Sequence, residues 1–252
     1  MVKGIDSFRQ WFQGFEGQYV IIGGTACDLL MGEAGLDFRA TKDIDLVLLI
    51  EALTPEFGKR FWEYVVAGQY KHRNNSTGAQ EFYRFSKPEQ VGYPEMIELF
   101  SRRPADLNLP LEAKLSPLPI DESISSLSAI LLDDEYYKLL QNGTIVVDGI
   151  RILDAAHLIL FKAKAWIDLT RQNRLDGSVD NRHIKKHKND VFRLAALLTP
   201  EQQITISGSV WDDLMQFIEY MREEDVDLKQ IRAVGRDKNK ILDDLVNTYE
   251  KS

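Results

Sequence analysis

The segment YVIIGGTACDLLMGEAGLDFRATKDIDLVLLI, Tyr19 to Ile50, carries most of what the sequence says about fold and chemistry. One apolar run, YVII, ends in the pair Gly23-Gly24, and a second, LVLLI, follows directly on Asp43 and Asp45. Short bounded apolar runs of this kind predict buried strands. The intervening TACDLLMGEAG reads as a helix stopped at Gly35. Side chains two apart on a strand project to one face, which sets Asp43 and Asp45 together with backbones ~6.5 to 7 Å apart. Ile44, between them, turns to the core.

Two carboxylates held so close repel, and an opposing cation is their simplest stabiliser. Hard oxygen ligands select Mg²⁺ or Mn²⁺ over a thiol-seeking metal. A third carboxylate from a neighbouring strand, ~4.8 Å away, would complete a cage for two ions. Glu98 is the expected third ligand, because it is the lone charge in MIELF. Such a cage suits phosphoryl or nucleotidyl transfer, where the attacking and leaving oxygens both need steadying. Taken singly these signals are weak. An Asp-x-Asp pair more often decorates a strand end or a turn, and a half-buried strand often carries one charge on its wet face.

The glycine pair adds weight. Gly23 and Gly24 let backbone approach a ligand closely, and the helix that follows would aim free N–H groups at an anion. Two other phosphate motifs are excluded: GGTACD supplies neither the Gly-x-Gly-x-x-Gly of a dinucleotide fold nor the Gly-Lys-Ser/Thr of a P-loop.

Composition sets the frame. The 252 residues, 44% apolar and 28% charged, suffice for one large or two modest domains of ordinary globular type. No run approaches the ~18 to 20 apolar residues of a membrane span, so no membrane partner is expected. MVKGIDSFRQWFQGFEG lacks the apolar core of a secretory signal. A single cysteine, Cys27, excludes an internal disulfide framework and a cysteine-based zinc cluster, and its expected role is core packing. The expected compartment is the cytoplasm. A net charge of −8 argues against a broad nucleic-acid surface, although RHIKKHK, Arg182 to Lys188, is one local basic patch.

Along the chain, SFRQWFQGF predicts a short amphipathic helix with Ser7 as N-cap, and TPEFGKRFWEYVVAG a helix capped by Thr54 with Pro55 at its first position. QEFYRFSK and EMIELFSRR predict strands, and TIVVDGIRIL a hairpin turned at Asp148-Gly149. Residues 104–120, rich in Pro and Leu, read as a long surface excursion. From Asp154 the pattern is helical, in DAAHLILFKAKAWIDLTRQ, NRHIKKHKNDVFRLAALL, SVWDDLMQFIEYMRE and DKNKILDDLVNTYE. Two domains follow: a mixed α/β domain over 1–153 and a helical domain over 154–252.

The order strand, Gly-Gly, helix, Asp-x-Asp, later acidic strand residue resembles the polymerase-β-like nucleotidyltransferase superfamily. Within it the chain is most similar to the AbiEii/AbiGii-type toxin nucleotidyltransferases. RATKDIDLVL resembles their Arg-x-Thr-x-Asp-x-Asp segment, with Arg39 and Thr41 in place, and KAKA, Lys162 to Ala165, resembles their helical lysine motif. KNDVFRLAALL matches their last motif at Asp190 but carries Arg193 where a second Asp belongs, and Leu169 replaces the trailing Arg of the lysine motif. The resemblance spans residues 18–198 and is concentrated in 20–50.

The resemblance implies an α/β nucleotidyltransferase fold, a mixed twisted sheet with flanking helices, and a C-terminal helical domain that closes the nucleotide cleft. It implies two Mg²⁺ or Mn²⁺ ions on Asp43, Asp45 and Glu98. It also implies a nucleoside triphosphate held by Gly23, Gly24, Thr25, Arg39, Thr41, Lys162 and Asp190. The acceptor would be tRNA, a protein or a small molecule, and an antitoxin is the implied partner. A haloacid-dehalogenase-type site is set aside, because here the apolar run follows the Asp pair rather than leading into it. The alternative is a nucleotidyltransferase-shaped module that binds nucleotide or a protein without catalysis.

Overall fold

The computed structural model describes residues 2–49, 51–71, 84–101, 130–131, 133–229, 231 and 237–252. The expected excursion over 104–120 and the first part of QEFYRFSK lie outside the described residues. The chain forms two compact units, Met1–Pro119 with Thr144–Leu153, and Ile120–Gly143 with Asp154–Ser252. The division is therefore not a single cut near residue 154, since the segment before the hairpin belongs to the second unit.

The first unit is built on a six-stranded mixed sheet. Its strands are β1 (Tyr19–Ile22), β2 (Asp43–Leu48), β3 (Arg84–Ser86), β4 (Met96–Ser101), β5 (Thr144–Val147) and β6 (Ile150–Leu153), in the order β3-β4-β2-β1-β6-β5. β1 runs antiparallel to β2 and parallel to β6, β2 runs parallel to β4, and the outer pairs β3/β4 and β5/β6 are antiparallel. The expected hairpin is present, with Asp148 (φ 49°) and Gly149 (φ 73°) both left-handed at its turn. That pairing matches the right-handed twist of the flanking strands.

Among the described residues, three helices accompany the sheet: α1 (Ile5–Phe12), α2 (Gly23–Glu33) and α3 (Pro55–Gly68). Thr54 caps α3 as its sequence requires, its Oγ1 accepting from the Phe57 N–H at 3.3 Å. α1 begins two residues earlier than Ser7. Gly4 stands at its N-cap with φ 80°, and Ser7 instead donates to the Gly4 carbonyl at 2.9 Å. The core of this unit is aromatic: Phe8, Phe12, Tyr19, Phe57, Phe61 and Tyr64 are all buried, with ring centroids 4.4 to 6.4 Å apart among the contacting pairs. Offset and edge-on packing of this kind adds ~0.5 to 1.5 kcal/mol per pair beyond area burial.

The second unit contains α4 (Asp134–Asn142), α5 (Ala155–Asp176), α6 (Asn181–Leu194), α7 (Gly208–Glu223) and α8 (Lys238–Thr248). It also has a small parallel pair, β7 (Ile204–Ile206) with β8 (Tyr249–Lys251). Asp154 caps α5, its carboxylate accepting from the His157 N–H at 2.9 Å. α5 is buried along most of its first fifteen residues and packs against α6 and α7. Among the described residues no helix is long and apolar enough to cross a membrane.

Candidate active site

β2 alternates as its sequence dictates. Ile44 and Leu46 are fully buried, whereas Asp43 and Asp45 are half-buried on the opposite face. β4 repeats the pattern, with Ile97 and Leu99 buried and Glu98 half-buried. The parallel register places Asp45 directly beside Glu98, and Asp43 beside Met96. On the other flank of β2, Asp45 pairs with Ile22, the last residue before Gly23.

Gly23 has φ +71°, a left-handed conformation in which glycine is unstrained. A methyl group there would overlap Oδ2 of Asp45, so the absence of a side chain is what lets that carboxylate lie against the start of α2. Gly24 has the same function toward Arg39 and Thr41: a Cβ on it would stand 2.7 Å from Thr41 Oγ1 and 3.3 Å from an Arg39 Nη. The first turn of α2 has no side-chain cap. The leading N–H groups of a helix are the donors that its start offers an anion.

Gly23, Gly24, Arg39, Thr41, Asp45 and Glu98 are therefore gathered at one place in the first unit. Asp43 lies one pleat along the same strand face. Thr25 belongs there too but differently from expectation. It is fully buried, and its hydroxyl donates to the Asp43 carbonyl at 2.6 Å, fastening α2 to β2. In this structure that hydroxyl positions Asp43 rather than facing a phosphate.

Glu98 is the electrostatic centre of the site. Burial, then the nearby charge of Asp45, push its carboxyl from the ordinary value of 4.5 up to about 7, with Arg84 opposing the rise. Arg84, on β3, lies opposite Glu98 in register, and its Nε donates to Glu98 Oε1 at 2.8 Å. A lateral row of Asp45, Glu98 and Arg84 thus crosses three strands, with Gly23 just beyond the end of β1.

Among the described residues no three His, Cys, Asp or Glu side chains stand close enough together to enclose an ion. What does meet is the pair Asp45 and Glu98, side by side in the β2/β4 register. Two adjacent carboxylates whose mutual repulsion raises one of them are the donor chemistry that a hard divalent cation relieves, so the residues fit Mg²⁺ or Mn²⁺. Asp43 stands one strand repeat from the pair on the same face of β2, the spacing expected of it.

Lys162 and Asp190 lie in the second unit, on α5 and α6. Lys162 Nζ is 3.3 Å from Asp190 Oδ2, and Arg193 Nη1 is 3.2 Å from Asp190 Oδ1. Asp190 is wholly buried and the Lys162 side chain 5% exposed. Arg193, which replaces an expected acid, is thus a partner of the acid that remains. Lys188, in the basic tract, is also turned inward and donates to Glu224 at 2.6 Å.

Sequence reasoning missed Arg84. The signal was the one used for Glu98, a single charge among apolar neighbours in FYRFS. Compared with known proteins, the chain matches no family model and no curated sequence.

Proposed function

We propose that this chain is a metal-dependent nucleotidyltransferase, acting in the cytoplasm, that moves a nucleoside monophosphate from a nucleoside triphosphate to an acceptor hydroxyl. The observation that supports this reading best is the lateral pairing of Asp45 with Glu98 beside a glycine that has to be side-chain-free. Asp43, Asp45 and Glu98 are the residues that would hold Mg²⁺ or Mn²⁺, which when bound supplies neutralisation of charge on the attacking and leaving oxygens.

The chain's own groups do the rest. The N–H groups of Gly23, Gly24 and Thr25, at the start of α2, hold phosphate oxygens. Arg39 and Thr41, brought over Gly24, bind the same triphosphate. Glu98, as a ligand of the ion, helps activate the acceptor hydroxyl for loss of its proton. The acceptor oxygen then bonds to the α-phosphorus, the bond to the bridging oxygen breaks, and pyrophosphate leaves. Lys162 and Asp190 enter through the resemblance alone, Lys162 as the residue that neutralises the β- and γ-phosphates and Asp190 among the nucleotide-binding residues. Acceptor classes in keeping with the resemblance are tRNA, protein hydroxyls and small molecules, with a toxin role restrained by an antitoxin.

A second reading is a binding module without turnover. It is favoured by two polar groups that are already engaged internally, the Thr25 hydroxyl and the Lys162 ammonium. The test is transfer of label from each α-labelled nucleoside triphosphate to bulk tRNA or protein, with and without Mn²⁺ or Mg²⁺. Asp43→Asn and Asp45→Asn are expected to lower transfer by about 10²- to 10³-fold or more with unchanged melting temperature. Undiminished transfer in those variants overturns the assignment. Thermal stabilisation by triphosphate without any transfer selects the binding module.

A further inference from the structure

Arg84 is absorbed by none of the roles above, yet it binds a carboxylate of the proposed ion site directly. It projects from β3, the strand at the edge of the sheet, at the register position opposite Glu98. Its Nε holds Oε1 of Glu98 at 2.8 Å, and the two side chains are only 24% and 12% exposed. Asp45 lies on the other flank of Glu98, one strand further in. Glu98 is therefore held between a guanidinium on one side and a carboxylate on the other.

This order matters. A glutamate side chain has three rotatable bonds, and a free one facing a neighbouring carboxylate would turn away from it to lower the repulsion. A guanidinium on the same side as Asp45 would occupy the cation's place. Arg84 is on the opposite side, so it neutralises part of the charge without entering the space between the two acids. Partners of this kind fix the orientation of a ligating carboxylate, and an arginine does so with a planar, permanently charged fork.

We propose that Arg84 is a positioning residue: by binding Glu98 from the side away from Asp45, it holds that carboxylate in the orientation in which the Asp45–Glu98 pair receives a divalent cation. The inference rests on the ion site proposed above and deepens it. A contrary role is equally specific. If Arg84 were simply a counter-charge competing with the metal, its removal would leave the site more negative and strengthen ion binding.

The two roles predict opposite signs in a titration of the full chain with Mn²⁺ alone, read by the electron paramagnetic resonance signal of the free ion. Arg84→Met is expected to weaken Mn²⁺ binding by about 10- to 100-fold, and Arg84→Lys to recover only part of the loss. Circular dichroism and melting temperature check that each variant is folded. Should Arg84→Met fail to fold, Arg84→Lys, which keeps the charge but not the fork, is expected to bind several-fold more weakly than the wild type. Unchanged or tighter binding in the folded variants overturns the positioning role while leaving the ion site standing. If the wild type shows no Mn²⁺ site that Asp45→Asn removes, the ion-site reading itself fails, and this inference with it.

Discussion

The molecule contains two charged trios of opposite composition. In the first unit, Asp45, Glu98 and Arg84 are two acids and one base, strung across neighbouring strands, with Glu98 and Arg84 partly open to solvent. In the second unit, Lys162, Asp190 and Arg193 are two bases and one acid, on two helices, with the acid wholly enclosed. Each oxygen of Asp190 has its own cation, so the central charge is satisfied within the unit. In the first trio the central Glu98 has a cation on one flank and a carboxylate on the other, and burial together with the charge of Asp45 raises its carboxyl to about 7 against the pull of Arg84. A satisfied buried acid holds structure together, whereas an opposed one stores an unfavourable interaction that a ligand can release. That contrast is why we place chemistry at the first trio.

The largest effect that separates them is on stability. Asp190→Ala would take from the buried Lys162 and from Arg193 the carboxylate they share, and is expected to cost about 3–5 kcal/mol in urea-induced unfolding. A loss under 1 kcal/mol would show that the second trio is not a structural pin, and the contrast would collapse.

The next effect is on pH dependence, and here the sign differs from that of an ordinary salt-bridged carboxylate. Glu98 has a raised folded-state value, about 7 against 4.5. The folded protein therefore binds this proton more tightly than the unfolded chain does. The associated stability is fully present below 4.5 and is lost as pH rises through 7, by up to about 3 kcal/mol. Glu98→Gln is expected to flatten stability between pH 4.5 and 7, measured by unfolding at each pH. An unchanged slope would place the titration elsewhere.

The smallest effect on stability tests the glycine beside Asp45. Gly23→Ala forces a side chain into a left-handed position and is expected to cost about 1–2 kcal/mol. It would also displace the Asp45 carboxylate. Mn²⁺ affinity and label transfer should therefore fall further than melting temperature suggests. If stability falls and ion binding does not, Gly23 serves the fold alone.

Much of the first unit could be read from the chain. Alternation in DIDLVL and MIELF fixes which residues face out, because a strand has a strict period of two. The Thr54 and Asp154 caps and the Asp148-Gly149 turn were equally plain, since each is a local contest for backbone hydrogen bonds or for positive φ. Helix α4 was missed although DDEYYKLLQNG has both signals of one. Asp133 accepts from two N–H groups at its start, and Gly143 follows its end. The strands β7 and β8 carried no usable signal. Three residues are too few to show an alternation, and NTYE continued a helical pattern.

The sequence by itself determined which side chains stand on the wet face of β2 and β4, where α3 and α5 begin, and that glycines precede an acidic pair, because all of these depend on neighbours a few residues apart. Only the tertiary structure decided that Asp45 rather than Asp43 lies beside Glu98, that Arg84 completes the row, and that Arg193 and Lys162 share one buried aspartate. Those facts depend on the register between strands and on how helices pack. A shift of one residue in register sends every side chain to the other face, and nothing local in the chain specifies the register of two strands separated by fifty residues.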